Sequence, residues 1–313
     1  MKRFFLFAAL ALLLCVPADA AGRVKGKTRA DKISSIMQDP KSDYVIVIAH
    51  RGDWRHAPEN SIPAIEGVIA MGADVVELDV QRTADGVLVM SHDGRVDRCT
   101  DGTGLIKEMT YEQLRKFHLK RDNGEVVDSL HILTLREALM CTKDRICVNL
   151  DKGYNYYDQI LELTEELGVT DQVLIKSWID TKTADAVMAR HPHNMLYMPV
   201  INLWDSASRD NADGYLKGNV PIAFEVCMKT WDDGLFEAYS KWMLTMNSKV
   251  WVNTLWPSIS GGPLTDDASA WNGKSNPDAV YGRPLKHGVS MIQTDNPAEL
   301  VKYLEQKGRH TLK

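Results

Sequence analysis

Short apolar runs near residues 44–49, 73–80, 145–150, 172–177, 195–201, 220–226, 249–254 and 289–293 punctuate this chain. Most of the intervals between them carry amphipathic helical patterns, as in Tyr157–Leu167, Thr181–Arg190, Leu235–Met246 and Ala298–Lys307. Eight strands alternating with helices predict an α/β fold, a TIM (β/α)8 barrel rather than a doubly wound sheet. Residues 43–313 have the length such a barrel needs. The seventh helix is the weakest part of the pattern, because Ser258 to Pro284 is rich in Gly, Pro, Ser and Asp. Residues 94–130 interrupt the alternation after the second strand, so a small insertion is expected there. Tyr111–Phe117 should be a short helix in it, capped by Thr110.

Charged and titratable residues cluster where these strands end, which is where such a barrel holds its chemistry. In Asp74-Val-Val-Glu-Leu-Asp-Val80, Glu77 and Asp79 are two apart and point the same way. Like charges aimed into one space repel unless a cation lies between them or one takes up a proton. Oxygen-only donors favour a hard cation, Mg²⁺ or Ca²⁺, over zinc. The run Tyr44–Ala49 ends in His50-Arg51-Gly52. Ala84-Asp85-Gly86 reads as a hairpin turn leading back to His92-Asp93. The histidines can exchange protons near neutral pH, and Arg51 can grip phosphate oxygens as a fork. A strand end with solvated carboxylates is the plain alternative, and the paired histidines weigh against it.

On these residues the chain resembles the glycerophosphodiester phosphodiesterases of the phospholipase-C-like barrel superfamily. The matching stretches are Ala49-His-Arg-Gly52, Pro58-Glu-Asn-Ser61, Glu77-Leu-Asp79, Ser91-His-Asp93, Thr134-Leu-Arg-Glu137 and Gln293-Thr-Asp-Asn-Pro297, in family order. The resemblance implies one divalent cation held by Glu77, Asp79 and a later acidic residue, with His50 and His92 as acid and base. It also implies that the substrate's own glycerol hydroxyl attacks first, through a cyclic phosphate. The family's third ligand is a Glu followed two positions later by Lys. Here Asp151 stands at that Glu, Lys152 follows directly, and Gly153 occupies the usual Lys position. An acidic residue here also resembles the related sphingomyelinase D enzymes. Asp151 could instead cap the helix that follows.

The candidate substrate-binding residues are Arg51, Glu59, Lys152 and Lys176. Glu59 is expected near the cation and Arg51, with Asn60 beside it, although Asn60 or Ser61 could simply cap a helix running to about Met71. Lys176 ends Val173-Leu-Ile-Lys-Ser-Trp178 and is a phosphate contact or a solvated strand end. Asp295 reads as a cap of the last helix, with Pro297 in its first turn. Asn253 departs from a Trp common in the family, with Trp251 and Trp256 nearby.

Lys2-Arg3, the apolar run Phe4 to Val16 and Ala18-Asp-Ala20 make a signal peptide over residues 1–20, implying export to the periplasm or beyond. The run is too short for a lasting membrane span. A lipoprotein anchor at Cys15 is disfavoured, because Leu14 precedes it where a small residue is needed. Residues 21–42 read as a loose N-terminal arm. Of the remaining cysteines, a bridge between Cys99 and Cys141 or Cys147 is a possibility in an exported chain, whereas Cys147 and Cys227 read better as buried apolar residues. A net charge of −5 gives no footprint for nucleic acid. Nothing in the chain fixes an oligomeric state.

The sequence therefore points to an exported enzyme cleaving small glycerophosphodiesters to an alcohol and sn-glycerol 3-phosphate, or glycerophosphoinositol to inositol phosphate. Two alternatives share the scaffold. One is a phospholipase C- or D-like enzyme on intact lipid, touching a membrane surface through Trp251, Trp256 or Trp271. The other is a catalytically silent binding module, which the presence of every expected ligand and histidine argues against.

Overall fold

A computed structural model describes residues 28–231, 233–273 and 276–312. The proposed leader, including Cys15, lies outside them. The barrel strands are β1 (Ile46–Ala49), β2 (Val75–Arg82), β3 (Cys147–Asp151), β4 (Val173–Ser177), β5 (Leu196–Asn202), β6 (Ala223–Cys227), β7 (Lys249–Asn253) and β8 (Met291–Thr294). Each pairs in parallel with the next, and β8 pairs with β1, so the sheet closes on itself as a (β/α)8 barrel. Closure leaves no exposed barrel edge.

Side chains alternate along each strand, which gives the barrel two cores. Val47, Val76, Val148, Val173 and Val250 face outward and pack under the surrounding helices. Ile46, Ile48, Val75, Leu174, Met198, Trp251 and Met291 face inward and fill the lower barrel. Higher in the interior the inward residues turn polar: Glu77, Asn149, Lys176, Glu225, Asn253 and Gln293 are all buried. The apolar floor is where packing is needed, and the polar layer above it lies at the strand C-termini.

The N-terminal segment departs from expectation. Instead of a loose arm, Arg29–Gln38 forms a helix, α1, started by a capping box between Thr28 and Asp31. Ala30, Ile33 and Met37 are buried against the barrel floor. Their spacing of three and four puts them on one helical face. The disulfide possibility also fails: Cys99, Cys141, Cys147 and Cys227 are all free thiols. Cys147 points into the floor and donates to the carbonyl of Ala30, whereas Cys99 sits at the mouth beside Glu59.

The insertion folds around its own small core of Val96, Ile106, Leu114, Leu119 and Ile132. A two-stranded ribbon, Leu119–Lys120 with Val126–Val127, stiffens it. Its helix spans Tyr111–Leu114, capped by Thr110 and Gln113. After β7 the Gly- and Pro-rich segment makes short helices, Pro257–Ser260, Asp267–Trp271, Pro277–Val280 and Gly282–Lys286, in place of one long one. Among the described residues no helix is long and apolar enough to cross a membrane.

Candidate active site

Glu77 and Asp79 on β2 register directly against Asn149 and Asp151 on β3. That pairing brings one oxygen from each of Glu77, Asp79 and Asp151 within 4.8 Å of one another. Glu77 and Asp79 are almost fully buried, 2% and 1% exposed. Burial pushes the Glu77 carboxyl well above its usual range, and the charge of Asp79 adds to this. Asp151 goes the other way: burial opposes it, yet Lys176 and then Lys152 hold its carboxyl low. Its buried Oδ1 faces the Lys176 ammonium at 3.5 Å. Three converging carboxylate oxygens suit a hard divalent cation. Asp151 is not a helix cap, because the helix Tyr157–Leu167 begins beyond a turn at Gly153–Tyr156.

The loop after β1 is shaped around these carboxylates. Arg51 has φ +55° and Gly52 φ +74°. A Cβ at Gly52 would lie 2.9 Å from the backbone of Ala64, so only glycine fits that turn. The turn aims the Arg51 N–H at Glu77 Oε2, 3.0 Å away. Asn60, at φ +57°, donates to Asp79 Oδ2 at 3.1 Å and accepts from the Asp79 N–H at 2.9 Å. Lys152, at φ +62°, reaches Asp79 Oδ1 at 2.9 Å and the His92 carbonyl at 2.7 Å. Non-glycine residues held at positive φ gather at functional sites, where the surroundings fix them.

Each histidine is oriented by a carboxylate. His50 Nδ1 donates to Asp295 Oδ1 at 2.9 Å, and the Trp54 indole donates to the same oxygen at 2.7 Å. His92 Nδ1 donates to Asp93 Oδ1 at 2.7 Å. In both rings this leaves Nε2 as the atom that can exchange a proton. Arg98, from the insertion, grips Asp93 at 2.7 Å and forks onto both oxygens of Glu59 at 2.8 Å. Against the cost of burial, Arg98 and Arg51 hold the Glu59 carboxyl down at about 2. Glu59 is therefore a bracket between two arginines, 3.3 Å from Arg51 Nη1.

Lys176 is buried rather than solvated. It lies 3.5 Å from Asp151 and 3.2 Å from Glu225, and burial, which would lower its pKa, is outweighed by Glu225 and Asp151. Asn253 donates to Glu225 at 2.8 Å. Trp256 stands edge-on to His50, ring centroids 5.7 Å apart. Trp251 is fully buried in the floor, so it cannot serve as a membrane-facing residue, whereas Trp178, Trp204, Trp256 and Trp271 remain partly exposed.

Residues 50–198 match the glycerophosphoryl diester phosphodiesterase family model, and residues 197–304 match a domain of unknown function. The glycerophosphodiester phosphodiesterase of Caldanaerobacter subterraneus is 34% identical over 178 residues, covering 53% of this chain and 73% of that protein. The chain belongs to the glycerophosphodiester phosphodiesterase family. It is accordingly a phosphoric diester hydrolase. Among solved structures, the family member from Parabacteroides distasonis aligns with a TM-score of 0.71 at 22% identity, covering 90% of this chain and 92% of that one. An Oleispira antarctica phosphodiesterase, solved in complex with the product sn-glycerol-3-phosphate, aligns with a TM-score of 0.63 at 20% identity, covering 84% and 97%. Sequence reasoning missed Asp93 and Arg98 as supports of the site and Glu225 as the partner of Lys176. It also assigned Asp295 to helix capping alone. The His92-Asp93 adjacency was a usable signal for the first of these, and Arg98 follows only five residues later; Glu225 and Asp295 reach the site from distant sequence.

Proposed function

We propose that this chain is an exported, cation-dependent enzyme for small glycerophosphodiesters, releasing an alcohol and sn-glycerol 3-phosphate, or inositol phosphate from glycerophosphoinositol. The observation that carries this reading is the pair of carboxylate-oriented histidines beside the Glu77, Asp79 and Asp151 cluster. Mg²⁺ or Ca²⁺ held by those three residues would supply electrophilic stabilisation of charge on the phosphate oxygens. Arg51 adds fixed positive charge beside them and is itself anchored by Glu59. One histidine takes the proton of the attacking hydroxyl at Nε2, and the other gives a proton from Nε2 to the leaving oxygen. Asp295 and Asp93 stabilise whichever ring is positively charged. The product complex of the Oleispira antarctica protein supports glycerol phosphate as the kept half. The basic start and apolar run of residues 2–20 support export.

The test is phosphorus NMR of a panel of glycerophosphodiesters and intact phospholipids with Mg²⁺, Ca²⁺ or EDTA. Metal-dependent sn-glycerol 3-phosphate from the small diesters is expected. Turnover of intact lipid alone would replace this reading with a membrane-acting phospholipase, and EDTA-resistant turnover would remove the cation.

A further inference from the structure

Asp267 lies in the segment after β7, in a short helix, and its side chain is entirely enclosed, 1% exposed. Its Oδ1 accepts from Thr254 Oγ1 at 2.8 Å, Tyr281 OH at 2.7 Å and Thr294 Oγ1 at 2.9 Å. Its Oδ2 accepts from the backbone N–H of Asp295 at 2.7 Å. Burying a carboxylate is costly unless donors surround it, and here they come from the ends of β7 and β8 and from the segment between them. β8 ends at Thr294, so the N–H of Asp295 is beyond the strand ladder and Asp267 is its acceptor. On the other side of the same residue, Asp295 Oδ1 receives His50 Nδ1 and the Trp54 indole.

We propose that Asp267 is a positioning residue for catalysis: by fixing the backbone of Asp295, it sets the carboxylate that orients His50. Asp267 is not part of the carboxylate cluster and its side chain is closed off from the mouth. It acts one peptide unit away, where a small rotation of residue 295 would move Oδ1 off the imidazole. A purely apolar residue would fill the same space without supplying the acceptor. Burial also raises the Asp267 carboxyl to about 7, against the pull of its hydroxyl and N–H donors, a cost that packing alone would not require. The inference rests on His50 being an acid–base residue.

The experiment is a kinetic double-mutant cycle on the full chain with Mg²⁺ and a glycerophosphodiester, comparing Asp267→Ala, Asp295→Asn and the double variant, with His50→Ala alongside. Asp267→Ala is expected to lower kcat roughly 10- to 100-fold with KM changed less than about twofold. In the Asp295→Asn background the same change should have almost no further effect, because the residue through which it acts is already disabled. If Asp267→Ala does not fold by circular dichroism, Thr294→Val removes one link between Asp267 and β8. It should lower kcat about 3- to 10-fold, again only when Asp295 is present. An unchanged kcat, or losses that multiply in the double variant, overturns the positioning role. Normal turnover by His50→Ala would instead overturn the acid–base reading on which it rests.

Discussion

The two histidines are built on opposite plans. His50 is deep, its side chain 10% exposed, and Asp295 beside it is equally enclosed. Its support is internal to the barrel: Trp54, the end of β8 and Asp267. His92 is open, its side chain 37% exposed, and its partner Asp93 is 31% exposed. Its ring is supported ionically, through Asp93 and Arg98 of the insertion and the Glu59 bracket, while Lys152 holds its carbonyl from the end of β3. A buried hydrogen-bond network holds geometry firmly and tolerates little change, whereas an exposed ion pair is screened and adjustable. The contrast suggests that His50 is set once, by the fold, and that His92 depends on how the insertion sits.

The most severe break is removal of either ring. His50→Ala and His92→Ala should each lose at least ~10² in kcat, measured on the purified enzyme with saturating cation. Changing the partners should separate them. Asp295→Asn is expected to cost roughly 10²-fold, and Asp93→Asn about tenfold, since water can replace part of an exposed partner. Parity between the two would refute the contrast. Arg98→Ala should be milder, several-fold by the usual scale for an exposed ion pair, and its effect should grow with salt-free buffer and shrink in high salt.

Stability against pH sharpens the same comparison, with opposite signs. Asp267, on the His50 side, is raised from 3.8 to about 7 by burial. Its contribution is fully present below the unfolded value near 4 and is lost as pH rises through about 7. The loss is of order 4 kcal/mol at about 1.4 kcal/mol per pKa unit. Asp93, on the His92 side, is held down at about 2 by Arg98 and His92, against the cost of partial burial. Its contribution is present above the unfolded value and lost as pH falls toward 2. Denaturant titrations of wild type, Asp267→Asn and Asp93→Asn between pH 4 and 8 should flatten the fall toward neutral pH only in the Asp267 variant. A slope unchanged in that variant would show that Asp267 is not the group responsible.

Much of this was legible beforehand, for a physical reason. The barrel strands are continuous apolar runs and their ends carry the chemistry, so Glu77 and Asp79 could be read from period-two spacing, whereas Asp151, on a later strand, was implied by the family resemblance. Supports were harder. Asp295 precedes a helix-starting Pro297, and a capping role explained it locally, while its contact with His50 spans the barrel closure. Asp267 sits in a Gly- and Pro-rich stretch without periodicity, where only tertiary contacts give a carboxylate a task. α1 was hidden by composition: residues 28–38 are polar on average, and three apolar positions suffice because the barrel floor supplies the rest of the surface.

The floor also settles where the chain's described ends lie. Arg29 from α1 and His310 from the final segment both reach the buried Asp74, which Tyr44 also contacts at 2.9 Å. Both ends therefore leave the molecule on the face opposite the catalytic mouth. A tether, tag or solid support attached beside Thr28 or Leu312 would hold the enzyme from behind, with the mouth turned outward to whatever carries the diester.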